Sequence, residues 1–301
     1  MRIGILGPEG TFSESAARYW LKRFRFSEGE SSSADSGEAM EVFKFYETIS
    51  DVYEGLMRYE IDFGVVPIEN SLEGSVSDTL DVLSSGCNEG EYAEERTRIQ
   101  IVGEILMPIR IFLLGKGHVR KVVSHSHALA QCKRFLRSLR KKGVEVKAVE
   151  STALAAKIAS LAPAEEGVAA LASEEAARKY KLHVLARDVQ DRESVTRFVV
   201  LARREYETKP TGHDKTSILI YLKDRPGALY EVLGEFAHRK INLTKIESRP
   251  SKKALGDYMF HIDCEGHISE KLVREAIEGV RKKVTMLKIL GSYPRDSLKG
   301  R

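Results

Sequence analysis

SILIYLKDRPGALYEVLGEFAHRKINLTKIES, residues 217–248, changes period twice within 32 residues, and its reading decides the fold of the carboxyl-terminal third. SILIYLK is a short apolar run of strand type. PGALYEVLGEFAHR then sets Leu229, Val232, Leu233, Phe236 and Ala237 three to four residues apart, the apolar stripe of a helix. Pro226 stands where a helix tolerates proline, so the pattern predicts a helix with Pro226 in its first turn. INLTKIES is a second strand. GDYMFHIDCEG follows with Tyr258, Phe260 and Ile262 in alternation, then the helical SEKLVREAIEGVRKK, then the strand TMLKILGSY. The order βαββαβ is the ferredoxin-like split arrangement.

Upstream of this module lies RREYETKPTGHD, residues 203–214, with Pro210 and Gly212 among charges and no apolar period, which reads as a linker. Before it, short apolar runs alternate with helical patterns. Arg2–Leu6, Ile61–Val66, Val119–Ser124, Val144–Val149 and Gly167–Leu171 read as strands, and Ser50 is a candidate cap for a helix carrying Val52 and Leu56. Ile105–Leu114 and Phe198–Ala202 are longer runs suited to strands joining two lobes. Such alternation means α/β layers around mostly parallel sheets, here in two lobes with a ligand cleft between them. Ser27–Glu38 and Ser84–Glu95 are acidic, hydroxyl-rich or glycine-rich and read as surface connections.

Over 301 residues, 48 Lys and Arg stand against 44 Asp and Glu, a net charge of +4. That excess is too small for a dedicated nucleic-acid binder. No apolar run approaches the ~20 residues of a spanning helix, and MRIGILGPEG has no signal-peptide core. Cys87, Cys132 and Cys264 lie far apart, which fits a reducing cytoplasm and offers neither a disulfide framework nor a zinc site. The expectation is a cytoplasmic protein without membrane or nucleic-acid partners.

Four segments carry candidate chemistry. In GPEGTFSESAA, residues 7–17, glycines permit a tight turn and Thr11 or Ser13 can cap the next helix. PIENSLEGSVSDTLDVL, residues 67–83, gathers Asn70, Ser71, Ser75 and Ser77 after a strand, where α/β ligands bind. STALAA, residues 151–156, puts Ser151 and Thr152 at another strand-to-helix junction. In DVQDRESVTRFVVLAR, residues 188–203, Thr196, Arg197 and Phe198 at the start of an apolar strand set a hydroxyl, a cation and a ring side by side, a set suited to an anionic cyclic substrate. His125 and His127 lack a third nearby ligand, so no metal is expected. Cys132 reads as a packed small residue rather than a nucleophile.

Taken in order, these four segments resemble the motifs of the prephenate dehydratase family, and the downstream module resembles an ACT domain. GALYEVL and IESRP match the two effector-site signatures of such domains. The resemblance implies an α/β dehydratase domain over residues 1–203, similar in fold to type II periplasmic binding proteins, a linker at 204–215, an ACT domain at 216–294 and a tail at 295–301. The chain starts at the first dehydratase strand, as a monofunctional enzyme without a chorismate mutase domain would. The reaction implied is prephenate to phenylpyruvate, water and carbon dioxide, a step towards phenylalanine that needs no cofactor because the ring becomes aromatic. By the same resemblance Thr196 acts on the departing hydroxyl, while Thr11, Asn70, Ser71, Ser151, Thr152 and Arg197 hold the carboxylates and Phe198 packs either on the ring or simply on the core.

The resemblance further implies inhibition by L-phenylalanine. It binds between paired ACT modules at Gly227, Ala228, Leu229, Asn242, Leu243, Glu247, Ser248, Arg249 and Pro250, in a homodimer or homotetramer. The chain departs from the family pattern at Ser194, where asparagine is usual, and at Ser126 and His127, where Pro-Gln is usual. Arogenate dehydration, or a two-lobed sensor without chemistry, are the other readings.

Overall fold

The computed structural model describes residues 1–27, 42–85, 99–206, 208–251 and 258–298. In chain order the elements begin with β1 (Arg2–Leu6), α1 (Phe12–Ser27), β2 (Val42–Tyr46), α2 (Ile49–Met57), β3 (Phe63–Asn70), β4 (Gly74–Ser75), α3 (Ser77–Ser84) and β5 (Ile99–Ile109). They continue through β6 (Phe112–Gly115), β7 (Lys121–His125), α4 (Ser126–Gln131), α5 (Lys133–Arg140), β8 (Glu145–Val149), α6 (Thr152–Leu161), β9 (Val168–Ala172), α7 (Glu174–Lys179) and β10 (His183–Ala186). The last are β11 (Ser194–Arg203), β12 (Asp214–Tyr221), α8 (Ala228–Ala237), β13 (Leu243–Pro250), β14 (Tyr258–Glu265), α9 (Lys271–Arg281) and β15 (Met286–Pro294). The strands form three sheets, ordered β2-β1-β3-β11-β5 with β4 paired to β3, β10-β6-β9-β7-β8, and β13-β14-β12-β15.

Two compact units result, one of residues 1–52, 65–75 and 106–198, the other of residues 53–64, 76–105 and 199–301. The first unit holds the second sheet, whose strands send alternate residues to opposite faces. Leu113, Val122, Ala169 and Leu171 join Ala128, Cys132 and Leu136 of the α4–α5 segment. Leu114, Val123, Ala170 and Ala172 join the alanines of α6 and α7. Covered on both faces, these strands read as unbroken apolar runs, which is why they are visible in the sequence.

The second unit holds the βαββαβ module. One face of its sheet, with Ile218, Ile220, Ile262 and Cys264, packs on Val232 and Phe236 of α8 and on Val273, Ala276, Ile277 and Val280 of α9. The other face is polar yet buried: Lys215, Ser217, Lys245, His261, Asp263 and Lys288 are all below a tenth exposed. Here Lys215 Nζ meets Glu104 Oε2 of β5 at 2.8 Å, and Lys288 Nζ donates to the Leu83 and Ser85 carbonyls at the end of α3. Gly291 of β15, at φ +152°, comes so close to β5 that a Cβ there would lie 2.1 Å from the Ile101 carbonyl oxygen.

Several local expectations are corrected. Thr48, not Ser50, caps α2: its Oγ1 accepts from Asp51 N–H while the Asp51 carboxylate accepts from Thr48 N–H, a reciprocal box. Ile61 still bonds back to the Gly55 carbonyl, so β3 begins at Phe63. The run Ile105–Leu114 breaks at Arg110, whose guanidinium turns to Asp188 while Ile111 N–H donates to Gln190. Pro226 lies ahead of its helix, because Gly227 at φ +82° is the residue before α8 and only glycine adopts that conformation freely. Residues 28–38 and 86–95 of the two expected surface connections, and Cys87, lie outside the described residues.

Candidate active site

The centre of the site is Asn70, at the carboxyl end of β3. Its Oδ1 accepts from the backbone N–H groups of Leu72 (2.9 Å) and Glu73 (3.1 Å) in the turn that follows. With that end of the amide fixed, its Nδ2 faces β11 and donates to Ser194 Oγ at 3.0 Å and to Thr196 Oγ1 at 2.9 Å. Ser71 completes the clamp: its N–H donates to the Val195 carbonyl and its Oγ accepts from Val195 N–H. Thr196 is half-buried and, among the described residues, nothing accepts its hydroxyl proton. An oxygen that already accepts from an amide keeps its O–H for an outside acceptor.

Arg197 does not share that face. Neighbours on a strand point to opposite sides, and Arg197, 8% exposed, reaches Glu69 Oε2 at 3.7 Å, just as Asn70 and Thr196 meet on the other side. Thr196 and Phe198 share a face, but Phe198 is 2% exposed and belongs to the core. The side-by-side trio expected from the sequence is therefore divided between two faces.

Thr11 does not cap α1; its Oγ1 donates to the Leu6 carbonyl at 3.2 Å. The buried Glu14 reaches back instead, accepting from Gly10 N–H at 2.7 Å while Arg18 holds its other oxygen. The sequence reading passed over Glu14, although an acid four residues after a glycine turn is its signal. Gly10 packs towards Ala153 of α6, and its carbonyl accepts from Ser173 Oγ. The loop carrying Thr11 thus lies beside the first turn of α6, where Ser151 Oγ caps the helix by accepting from Leu154 N–H and Thr152 is the first residue. The described contacts give two groups, Asn70–Ser71–Ser194–Thr196 and Thr11–Ser151–Thr152.

Cys132 and Cys264 are buried, and burial pushes both thiols up to about 12, so neither is a thiolate nucleophile near neutrality. His125 Nδ1 accepts from His127 N–H, and burial lowers the His125 pKa. Among the described residues no group of three or more His, Cys, Asp or Glu is placed to hold a metal.

In the second unit, a cavity of about 170 Å³ is lined by Leu222, Arg225, Ala228 and Leu229 together with Tyr258 and Phe260. Of the expected effector residues, Ala228 and Leu229 line it, and Gly227 precedes them. Asn242 sits just before β13, its carbonyl accepting from Glu265 N–H. Leu243, Glu247, Ser248, Arg249 and Pro250 are on β13 itself, at one edge of the sheet. The Arg249 side chain leaves this strand for α3, meeting Asp81 Oδ1 at 3.0 Å and Ser77 Oγ at 3.1 Å.

Among known proteins, the family model for prephenate dehydratase matches residues 3–206 and that for the ACT domain matches residues 216–282. A prephenate dehydratase of Methanocaldococcus jannaschii is 39% identical over 95% of this chain and 96% of its own. A solved structure of prephenate dehydratase from Arthrobacter aurescens in complex with L-Phe superposes with TM-score 0.79 at 32% identity, covering 98% of this chain and 90% of that one. Another solved structure, described as a novel type of quorum quenching acylase, gives TM-score 0.81 at 25% identity over 99% of this chain and all of that one. With one catalytic-domain model spanning two thirds of the sequence and a relative matched almost end to end, the chain belongs to the prephenate dehydratase family.

Proposed function

We propose that this protein converts prephenate to phenylpyruvate, with Thr196 as the hydrogen-bond donor to the departing ring hydroxyl. The observation that carries this reading is the fixed Asn70 amide, which occupies a lone pair of Thr196 Oγ1 and leaves its proton for a ligand. In the reaction the bond to the ring carboxylate breaks and its electron pair enters the ring as carbon dioxide leaves. The carbon–oxygen bond breaks in the opposite sense, and the hydroxyl departs with a proton as water. Aromaticity supplies the driving force, so placement and hydrogen bonding are what the protein must add. A threonine proton is too weakly acidic for full transfer, so Thr196 directs a hydrogen bond or relays a proton. Ser151, Thr152 and Ser71 offer donors for the carboxylates, while the Thr11 hydroxyl is turned to the Leu6 carbonyl and Arg197 acts from the opposite face by holding Glu69.

The ACT module binds L-phenylalanine and lowers turnover, in a homodimer or homotetramer paired through these modules. Support comes from the cavity beside Ala228 and Leu229 and from the open helix start at Gly227, where N–H groups favour a carboxylate. Two measurements test the reading. Purified protein given prephenate produces phenylpyruvate absorbance; a folded protein that produces none sinks the dehydratase assignment. Calorimetry with L-phenylalanine shows heat for the wild type and much weaker binding for Gly227→Val, which places a branched side chain at φ +82°. If Gly227→Val stays fully inhibited, the effector binds elsewhere.

A further inference from the structure

The effector segment IESRP lies on a strand, and a strand has two sides. In the register of β13 against β14, Ile246, Ser248 and Pro250 oppose Ile262, Phe260 and Tyr258. Two of those three partners line the cavity beside α8. Glu247 and Arg249 oppose His261 and Met259, on the polar face that α3 covers. We infer that Arg249 is a positioning residue for the catalytic turn rather than an effector ligand: it holds the first turn of α3 through Asp81 and Ser77, and so transmits the state of β13 to Asn70.

Three observations support this. First, α3 does not fix its own start. The residue before it, Val76, offers no side-chain cap, so the amino end of the helix depends on its neighbours. Second, the far end of α3 is held by the same sheet, through Ser84 Oγ and His261 Nε2 at 3.1 Å and through Lys288 on the Leu83 carbonyl at 3.0 Å. Arg249 holds the near end, so the sheet grips the helix at both ends. Third, the chain from α3 to the catalytic turn has almost no slack. Ser77 stands two residues beyond β4, and β4 pairs with β3 through Glu69–Ser75 and Asn70–Gly74. A shift of the first turn of α3 pulls on the turn whose N–H groups orient the Asn70 amide, and with it the hydroxyl of Thr196. The Arg249 Nε–H is buried without an acceptor among the described residues, so this guanidinium is held by its two terminal nitrogens alone. A helix end held by two side-chain contacts is one that an effector can bias, provided its affinity differs between the held and released states.

The inference rests on the proposed dehydratase reading for its kinetic test, but its structural test stands apart. Arg249→Leu, Asp81→Asn and the double variant are compared by amide hydrogen exchange and by prephenate turnover, each with and without L-phenylalanine. Faster exchange over residues 70–84 in both single variants is expected. With it comes a fall of about tenfold in kcat at little-changed KM, loss of the phenylalanine response in both, and a double variant no worse than either single one. Arg249→Lys should restore part of kcat. If Asp81→Asn keeps wild-type exchange and inhibition while Arg249→Leu loses only inhibition, Arg249 is an effector ligand and the inference fails. If the wild type does not turn over prephenate, the function is wrong, while exchange over residues 70–84 still decides the link.

Discussion

The Asn70 cluster and the polar face of the third sheet both set hydroxyls beside buried backbone, and they finish differently. Under the sheet, internal partners satisfy them: Ser217 Oγ donates to Asp263 and sits 2.6 Å from the Tyr293 hydroxyl, Ser84 meets His261, and Lys288 meets two carbonyls. At Asn70 the amide is satisfied at both ends, yet the chain of donors stops at Thr196 with one proton left over. The contrast separates polarity that specifies a contact from polarity kept for a ligand. A polar group fully paired inside the protein is structural, whereas one with a free valence on a rigid support is where chemistry is possible.

The contrast breaks most sharply at Thr196. Thr196→Val keeps the shape but removes both the proton and the oxygen that accepts from Asn70, and turnover is expected to fall about 10²–10⁴-fold in a protein that still folds. Near-normal turnover in the folded variant would remove Thr196 from the chemistry. On the structural side, burial pushes the His261 imidazole down to about 4, against Asp263, which pulls it up. Between pH 6.5 and 4 the unfolded chain binds a proton that the folded chain refuses. Stability is therefore full above pH 6.5 and declines as pH falls through that window, by on the order of 3 kcal/mol. Denaturant titrations at pH 7 and pH 4.5 read this, and His261→Gln should flatten the difference. Lys288→Met leaves the Leu83 and Ser85 carbonyls without their ammonium and is expected to destabilise by about 1–3 kcal/mol with little change in kcat. The smallest effect is none: dialysis against a chelator should leave turnover unchanged, and zinc-restorable activity would return attention to His125 and His127.

The sequence disclosed what repeats locally. The apolar stripe Leu229–Ala237 and the runs around Val122 and Ala170 are visible because both faces of an element, or one continuous stripe, must be apolar to be buried. VFKFY at β2 and HVLA at β10 were missed because each is short and carries a polar residue. Buried lysines were illegible for another reason. Nothing near Lys215 or Lys288 in sequence announces Glu104 or the end of α3, more than a hundred residues away. The site divides in the same way. Its hydroxyl-bearing segments stood out as motifs, but the bond from Asn70 to Thr196 crosses 126 positions. The opposite facing of Thr196 and Arg197 follows from strand alternation alone and was available once Ser194–Arg203 was known to be extended from its first residue.

Gly291 touches the backbone of β5 with nothing between, and this sets how the protein tolerates change. At most buried positions a substitution is judged by volume and hydrophobicity, and a neighbour can yield. Here the obstacle is a main-chain carbonyl, which no rotamer can move aside, so even alanine is excluded. In a library with every position varied, site 291 should behave as all-or-none, silent only when it stays glycine. Ile289, two residues away on the same strand and partly exposed, should grade smoothly with side-chain size. A lineage of such proteins can exchange the chemistry of its polar contacts one residue at a time, but it cannot drift through this point.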